Sequence, residues 1–145
     1  MSTLWSVAAL AGGLAAVPTG CASDSFPSCV TVDPGCAPLY PPTFANVYGT
    51  TLSRGCGADA GSCHSAQGRQ GGVSFATAGQ AYESLLAGQV EPGNPGCSAV
   101  IVATSSVGAR FQMPPGDPLS PAERCALVQW VQAGAPGPSA QGDRP

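Results

Sequence analysis

The chain has 145 residues, of which 20 are Gly and 15 are Pro, and charged residues make up 9% of it. This length allows one domain with a targeting segment or a tail, and a second full domain is not expected. The net charge is −3 and the five basic residues are scattered, so the sequence lacks the clustered basic face that binds nucleic acid. Seven cysteines in so small a protein favour an oxidising compartment.

The first 20 residues are expected to be an export signal. Leu4 to Val17 is an apolar run that is too short to span a bilayer comfortably. The sequence PTGC that ends at Cys21 resembles a bacterial lipoprotein box, and this resemblance implies that residues 1–20 are removed and that Cys21 carries a lipid. Cleavage elsewhere, with Cys21 free, is the alternative.

Residues 21–38 are expected to form a surface tether, because Pro and Gly are too frequent there for a helix. Cys29 and Cys36 flank a DPG turn within this segment, which favours a small local disulfide. A metal site is the less favoured reading, since no His and no third Cys lies nearby.

The rest of the chain predicts four short helices, and therefore an all-α fold with long Gly- and Pro-rich loops. Apolar residues recur at helical spacing over Thr43 to Ser53. Thr77 can cap a second helix that ends at Gly88. The segment CSAVIVATS fits a buried helix or a strand, and a helix is favoured. The last helix, PAERCALVQWVQA, opens with a cap, a proline and a capping-box acid at Ser120, Pro121 and Glu123.

The segment GCGADAGSCHS combines Cys56, Cys63 and the only histidine, His64. A Cys-His pair preceded by another Cys is the residue set that attaches a haem through two thioethers and one imidazole. Six residues separate the two cysteines here, where the usual motif has two. Met113 is the only methionine besides the initiator, so it is the available thioether for the second axial position, and Pro114 and Pro115 are expected to keep its loop extended.

The order of these segments, with VEPGNP, FQMPPG and a final helix ending WVQAGAP, resembles the cytochrome c-like domains of planctomycete and myxobacterial envelope proteins. The resemblance covers about residues 39–136 and leaves 137–145 as a disordered tail. It implies that Cys56 and Cys63 carry the thioethers of a haem c, that His64 is the proximal ligand and that Met113 is the distal ligand.

Two alternatives follow from the six-residue gap between the cysteines. The haem could be held by a single thioether, or a Cys56–Cys63 disulfide could have replaced haem attachment altogether. Cys97 and Cys125 are expected to form a structural disulfide between the CSAVIVATS segment and the last helix. No catalytic set is evident without His64, so an enzyme is not expected.

The sequence therefore predicts a single-haem c-type electron-transfer protein in the bacterial cell envelope, periplasmic or on the outer membrane. It would be anchored by its N-terminal lipid and would exchange electrons with a redox partner protein, without binding nucleic acid. The alternative is a haem-free, disulfide-stapled envelope lipoprotein with a structural or partner-binding role. The haem is expected to pack among six apolar side chains: Phe44, Tyr48, Leu85, Leu86, Phe111 and Trp130.

Overall fold

The computed structural model describes residues 26–57 and 63–138, and all regular secondary structure within these ranges is helical. The all-α prediction is confirmed. The expected signal peptide, the lipidation residue Cys21 and all but the first residues of the expected tail lie outside the described ranges. Within those ranges, no helix combines the length and the apolarity needed to cross a membrane.

The first helix begins at α1, Phe44–Asn46, and continues as a π-helical stretch over Val47–Gly57. The Thr43 hydroxyl caps it by accepting a hydrogen bond from the Asn46 amide at 3.3 Å. The helix is longer than predicted, because it passes Ser53 and ends at Gly57. Cys56 consequently lies on its last turn.

The second and third helices follow the local sequence signals closely. Helix α2, Ala78–Ser84, continues as a π-helical stretch over Leu85–Gln89, and the Thr77 hydroxyl caps it by accepting from the Gln80 amide at 3.2 Å. Gly88 has a φ of 128°, which an L-residue adopts only with strain. Helix α3, Ala99–Ser105, confirms the helical choice for CSAVIVATS.

Helix α4, Pro121–Gln132, starts at the predicted capping box. The Ser120 hydroxyl accepts from the Glu123 amide at 3.2 Å, and the Glu123 carboxylate accepts from the Ser120 amide at 2.9 Å. These two bonds satisfy backbone donors that have no partner inside the helix. The apolar face of α4 is buried in the centre of the domain.

The core is built around Trp130, which is fully buried. The ring of Phe44 lies 5.6 Å from that of Trp130 and 5.1 Å from that of Tyr82. Two hydrogen bonds fasten the chain after α4 to this cluster: the indole N–H of Trp130 donates to the Pro136 carbonyl, and the Tyr82 hydroxyl donates to the Ala135 carbonyl, each at 3.1 Å. The WVQAGAP end is thus part of the core.

The predicted disulfide pairing is wrong, although all four cysteines are bonded. Cys29 pairs with Cys97 and Cys36 pairs with Cys125, so neither the local bridge Cys29–Cys36 nor the bridge Cys97–Cys125 is present. The DPG turn needs no disulfide, because its Asp33 carboxylate already accepts from the Gly35 amide at 2.8 Å.

The pairing follows from where the N-terminal segment lies. The Val30 amide donates to the Gly96 carbonyl at 2.8 Å, which brings Cys29 beside Cys97. The Gln129 side chain donates to the Pro34 and Cys36 carbonyls at 3.0 and 2.9 Å, which brings Cys36 onto α4. We call residues 26–40 the strap, because this segment is fastened along the domain by these bonds and by both disulfides.

Candidate cofactor cavity

The four residues predicted to hold a haem line the same cavity: Cys56, Cys63, His64 and Met113. Its volume is about 630 Å³, within the roughly 300–1,000 Å³ typical of cofactor and ligand sites. Most of the remaining wall is apolar and comes from several parts of the chain, including Leu52, Val73, Phe75, Leu85, Val100, Ala103, Phe111, Pro114 and Leu119.

Cys56 reaches the cavity from the end of the first helix. A Cβ atom on the next residue, Gly57, would stand 2.6 Å from the Cβ of Phe75, so only glycine lets the helix end approach so closely. Burial, with a smaller contribution from the negative charge of Glu123, raises the pKa of the Cys56 thiol to about 11. The thiol is therefore protonated at neutral pH.

Backbone hydrogen bonds hold Cys63 and His64 in place. The Cys63 carbonyl accepts from the Gln70 amide at 2.9 Å, and the His64 carbonyl accepts from the Phe75 amide at 2.7 Å. The buried Ser65 hydroxyl accepts from the Gly68 amide at 3.0 Å and closes the turn that follows. The Gly-rich loop after the histidine thus folds back and supports it. Residues 58–62, which separate Cys63 from the first helix, lie outside the described ranges.

The His64 imidazole is half-buried beside the ring of Phe75, with the two ring centres 5.2 Å apart. Its Nδ1 atom is buried and has no hydrogen-bond partner among the described residues. Such a nitrogen costs free energy unless something satisfies it. The His64 side chain also lines the apolar cavity, so it is within reach of a group placed there.

Met113 enters the wall from the loop between α3 and α4. Its amide donates to the Ala103 carbonyl, in the last part of α3, at 3.0 Å. The buried side chain of Gln112 accepts from the Gly108 amide at 2.6 Å and donates to the Pro114 carbonyl at 2.8 Å. No sequence signal points to Gln112, because its role depends on partners on both sides of the loop.

Both thiols at the cavity are free, so the structure does not contain the Cys56–Cys63 disulfide of the haem-free alternative. Cys63 is exposed and Cys56 is partly buried. Within residues 26–57 and 63–138, no cluster of three or more His, Cys, Asp or Glu side chains is arranged to hold a metal ion.

The expected packing residues are only partly correct. Leu85 and Phe111 line the cavity, but Phe44, Tyr48, Leu86 and Trp130 are not part of its wall. Phe44 and Trp130 are used instead in the aromatic core described above, and Leu86 is 39% exposed. Helical periodicity predicts the apolar face of a helix. It does not show whether a residue on that face packs in the core or lines the cavity.

The strap contributes an aromatic residue at the cavity. Phe26 lines it and packs against Phe111, with ring centres 4.9 Å apart. Phe26 is 47% exposed, so it lies where the cavity meets the protein surface. The disulfide Cys29–Cys97, three residues further along the strap, limits how far this ring can move away.

Comparison with known proteins adds no relative to these observations: no protein-family model, no curated protein and no solved structure matches the chain.

Proposed function

We propose that this chain is a single-haem c-type electron-transfer protein of the bacterial cell envelope. One observation carries the proposal: the two free thiols, the histidine and the methionine that the sequence singles out line one apolar cavity of about 630 Å³. Met113 lies fifty positions after Cys63 in the chain. The two residues therefore line the same cavity because of the tertiary fold and not because they are neighbours in sequence.

Each side chain has a defined part in this proposal. The thiols of Cys56 and Cys63 would hold a haem by adding across its vinyl groups; each sulfur would bond to one vinyl carbon and the thiol hydrogen would pass to the other, so no oxidant would be needed. His64 would offer a nitrogen and Met113 a sulfur to the haem iron. The bound haem would supply an iron that alternates between the ferric and ferrous states.

The ligand set favours electron transfer over oxygen binding. With both His64 and Met113 bound to the iron, no coordination position would remain for a small molecule, and the Met113 thioether would favour the ferrous state. Apolar side chains around a bound haem would limit the solvent rearrangement that accompanies a change of charge. A redox partner protein in the envelope would supply and remove the electron.

The N-terminal part of the proposal is a lipid anchor on Cys21, with the mature protein beginning at that residue. It is supported by the apolar run and the PTGC sequence. Mass spectrometry of the mature N-terminus checks it, and an unacylated Cys21 would contradict it.

The decisive experiment is expression of the full chain in a bacterial host with haem-attachment machinery, followed by a pyridine haemochrome spectrum. Trypsin releases residues 55–69, which contain both candidate attachment cysteines and no other cysteine. We expect this peptide to carry the mass of haem. Cys56→Ser and Cys63→Ser are the matched variants: each should leave one vinyl group unreacted and move the haemochrome band to longer wavelength.

The alternative function, a haem-free envelope module that binds a partner, is favoured by the two disulfides that fasten the strap. It gives a different result in the same digest. No haem band, and a 55–69 peptide whose mass reveals a Cys56–Cys63 disulfide, would reject the electron-carrier proposal in favour of this module.

A further inference from the structure

We infer that Gln112 is a positioning residue for Met113, whose buried amide group holds the methionine loop in the conformation that presents the thioether to the cavity. The inference rests on the proposed function in so far as Met113 is taken as an iron ligand. Gln112 is not part of the Cys-Cys-His segment, and it is not one of the proposed iron ligands.

The hydrogen bonds of Gln112 enclose Met113 on both sides. Its Oε1 atom accepts from the Gly108 amide at 2.6 Å, and its Nε2 atom donates to the Pro114 carbonyl at 2.8 Å. The side chain is 8% exposed, although glutamine is usually found at the surface. One amide group therefore joins the start of the loop to the residue immediately after the methionine.

The backbone of the loop does not fix Met113 in the same way. The Met113 amide donates to the Ala103 carbonyl at 3.0 Å, and the Gln112 amide donates to the Ala109 carbonyl at 3.0 Å. These bonds attach the loop to α3 and close one turn within it. Neither bond holds the backbone after Met113. That part of the loop is held by the hydrogen bond from the Gln112 side chain to the Pro114 carbonyl.

The chemistry of the site explains why glutamine is suited to it. The position needs an acceptor for Gly108 and a donor for Pro114 from the same side chain. Glutamate keeps the acceptor but, when ionised, has no hydrogen to donate and faces the Pro114 carbonyl with a negative charge. Alanine provides neither. A buried polar group with both partners satisfied specifies one conformation, whereas a partly satisfied one does not.

The variants Gln112→Ala and Gln112→Glu test the inference on the full chain purified from the envelope. We expect both to weaken the sulfur-to-iron absorption band and to raise the affinity for added imidazole roughly tenfold, a factor that corresponds to about 1.4 kcal/mol, on the scale of one or two net hydrogen bonds.

Gln129→Ala is the matched control. Gln129 also makes two side-chain hydrogen bonds to carbonyls, but it joins α4 to the strap. It should therefore leave the band and the imidazole affinity unchanged. An unchanged band in both Gln112 variants would overturn the inference.

A second readout works whether or not haem is attached. Hydrogen exchange measured by NMR should become faster at the Gly108 and Met113 amides in Gln112→Ala, and should stay unchanged there in Gln129→Ala. If no haem is attached and these amides still exchange faster, the proposed function fails while the positioning role of Gln112 stands. Unchanged exchange at Met113 in Gln112→Ala would overturn the positioning role itself.

Discussion

At the scale of single residues, Met113 is the side chain that, under the proposed function, would distinguish an electron carrier from a protein with an open iron. It is the only methionine besides the initiator, and it lines the cavity together with His64. Neither residue by itself would justify a haem site, because a lone methionine in a loop usually packs and a lone histidine usually lies at the surface. The proposal rests on the finding that both residues line the same cavity as two free thiols.

Met113→Ala is expected to abolish the weak sulfur-to-iron band near the red end of the visible spectrum, because alanine has no donor atom. The iron should then bind added imidazole or cyanide. Val107→Ala is the control, since Val107 is 57% exposed in the same inter-helix segment. A spectrum unchanged by Met113→Ala would show that another group is the ligand.

The two thiols should differ in reactivity in protein that carries no haem. Burial and the charge of Glu123 raise the pKa of Cys56 to about 11, so about one thiol in a thousand is ionised at pH 8, and the thiolate is the reactive form. Cys63 is exposed. We expect iodoacetamide to modify Cys63 first, and the rate at Cys56 to rise as pH increases from about 8 towards 11.

The peptide of residues 55–69 reports both modifications by mass. Glu123→Gln removes the charge and should lower the pKa of Cys56, and so speed its modification at a given pH. Equal rates at the two cysteines at pH 8 would contradict the buried position of Cys56. In protein with two thioethers, neither cysteine should react.

At the scale of elements, the strap is the main departure from expectation. A segment rich in proline and glycine was expected to be a tether with its own small bridge. Instead its polar backbone groups are paired with Gly96 and with the side chain of Gln129. Two disulfides that close loops of 68 and 89 residues fasten it. In the chain-entropy account, closing loops of this length corresponds to about 4–5 kcal/mol for each bridge.

A non-reducing tryptic digest checks the pairing directly. The cleavage sites separate the cysteines into one peptide ending at Arg54, which holds Cys29 and Cys36, and the peptides 70–110 and 125–145, which hold Cys97 and Cys125. The observed pairing links all three peptides into one species. A free N-terminal peptide beside a 70–110/125–145 pair would contradict it, and reduction before digestion is the control.

At the scale of the whole molecule, the domain has a core of its own and a large cavity beside it. Neither Phe44 nor Trp130 reaches the cavity wall, but Leu52, Phe75 and Leu85 line the cavity and belong to the same core cluster. The cavity is bordered by the first helix, the Gly-rich loop, α3 and the Met113 loop. A group attached there would therefore stabilise contacts between elements rather than fill the centre of the core.

Chain that carries haem is expected to unfold at a higher temperature than chain produced without attachment machinery. Apolar side chains at the cavity gain packing partners when a large apolar group is attached. A gain of about 2 kcal/mol would raise Tm by roughly 10 °C for a domain of this size. Thermal unfolding followed by circular dichroism measures the difference. Equal values of Tm would mean that haem attachment does not stabilise the fold, which would contradict the prediction.

The sequence by itself determined the helices and named the candidate ligands. Helix ends depend on neighbours a few residues apart, as with Ser120 and Glu123 or Thr77 and Gln80, so local pattern predicts them. The inventory singled out His64 and Met113, because each is unique in the chain apart from the initiator methionine.

Only the tertiary structure decided which distant residues meet. Six apolar residues predicted to surround the haem were divided between the core, the cavity and the surface, since helical periodicity gives a buried face and not its partner. The disulfide pairing and the bonds of Gln112 likewise depend on contacts between separate loops. Long-range contacts are set by how the whole chain packs, and no short stretch of this sequence specifies them.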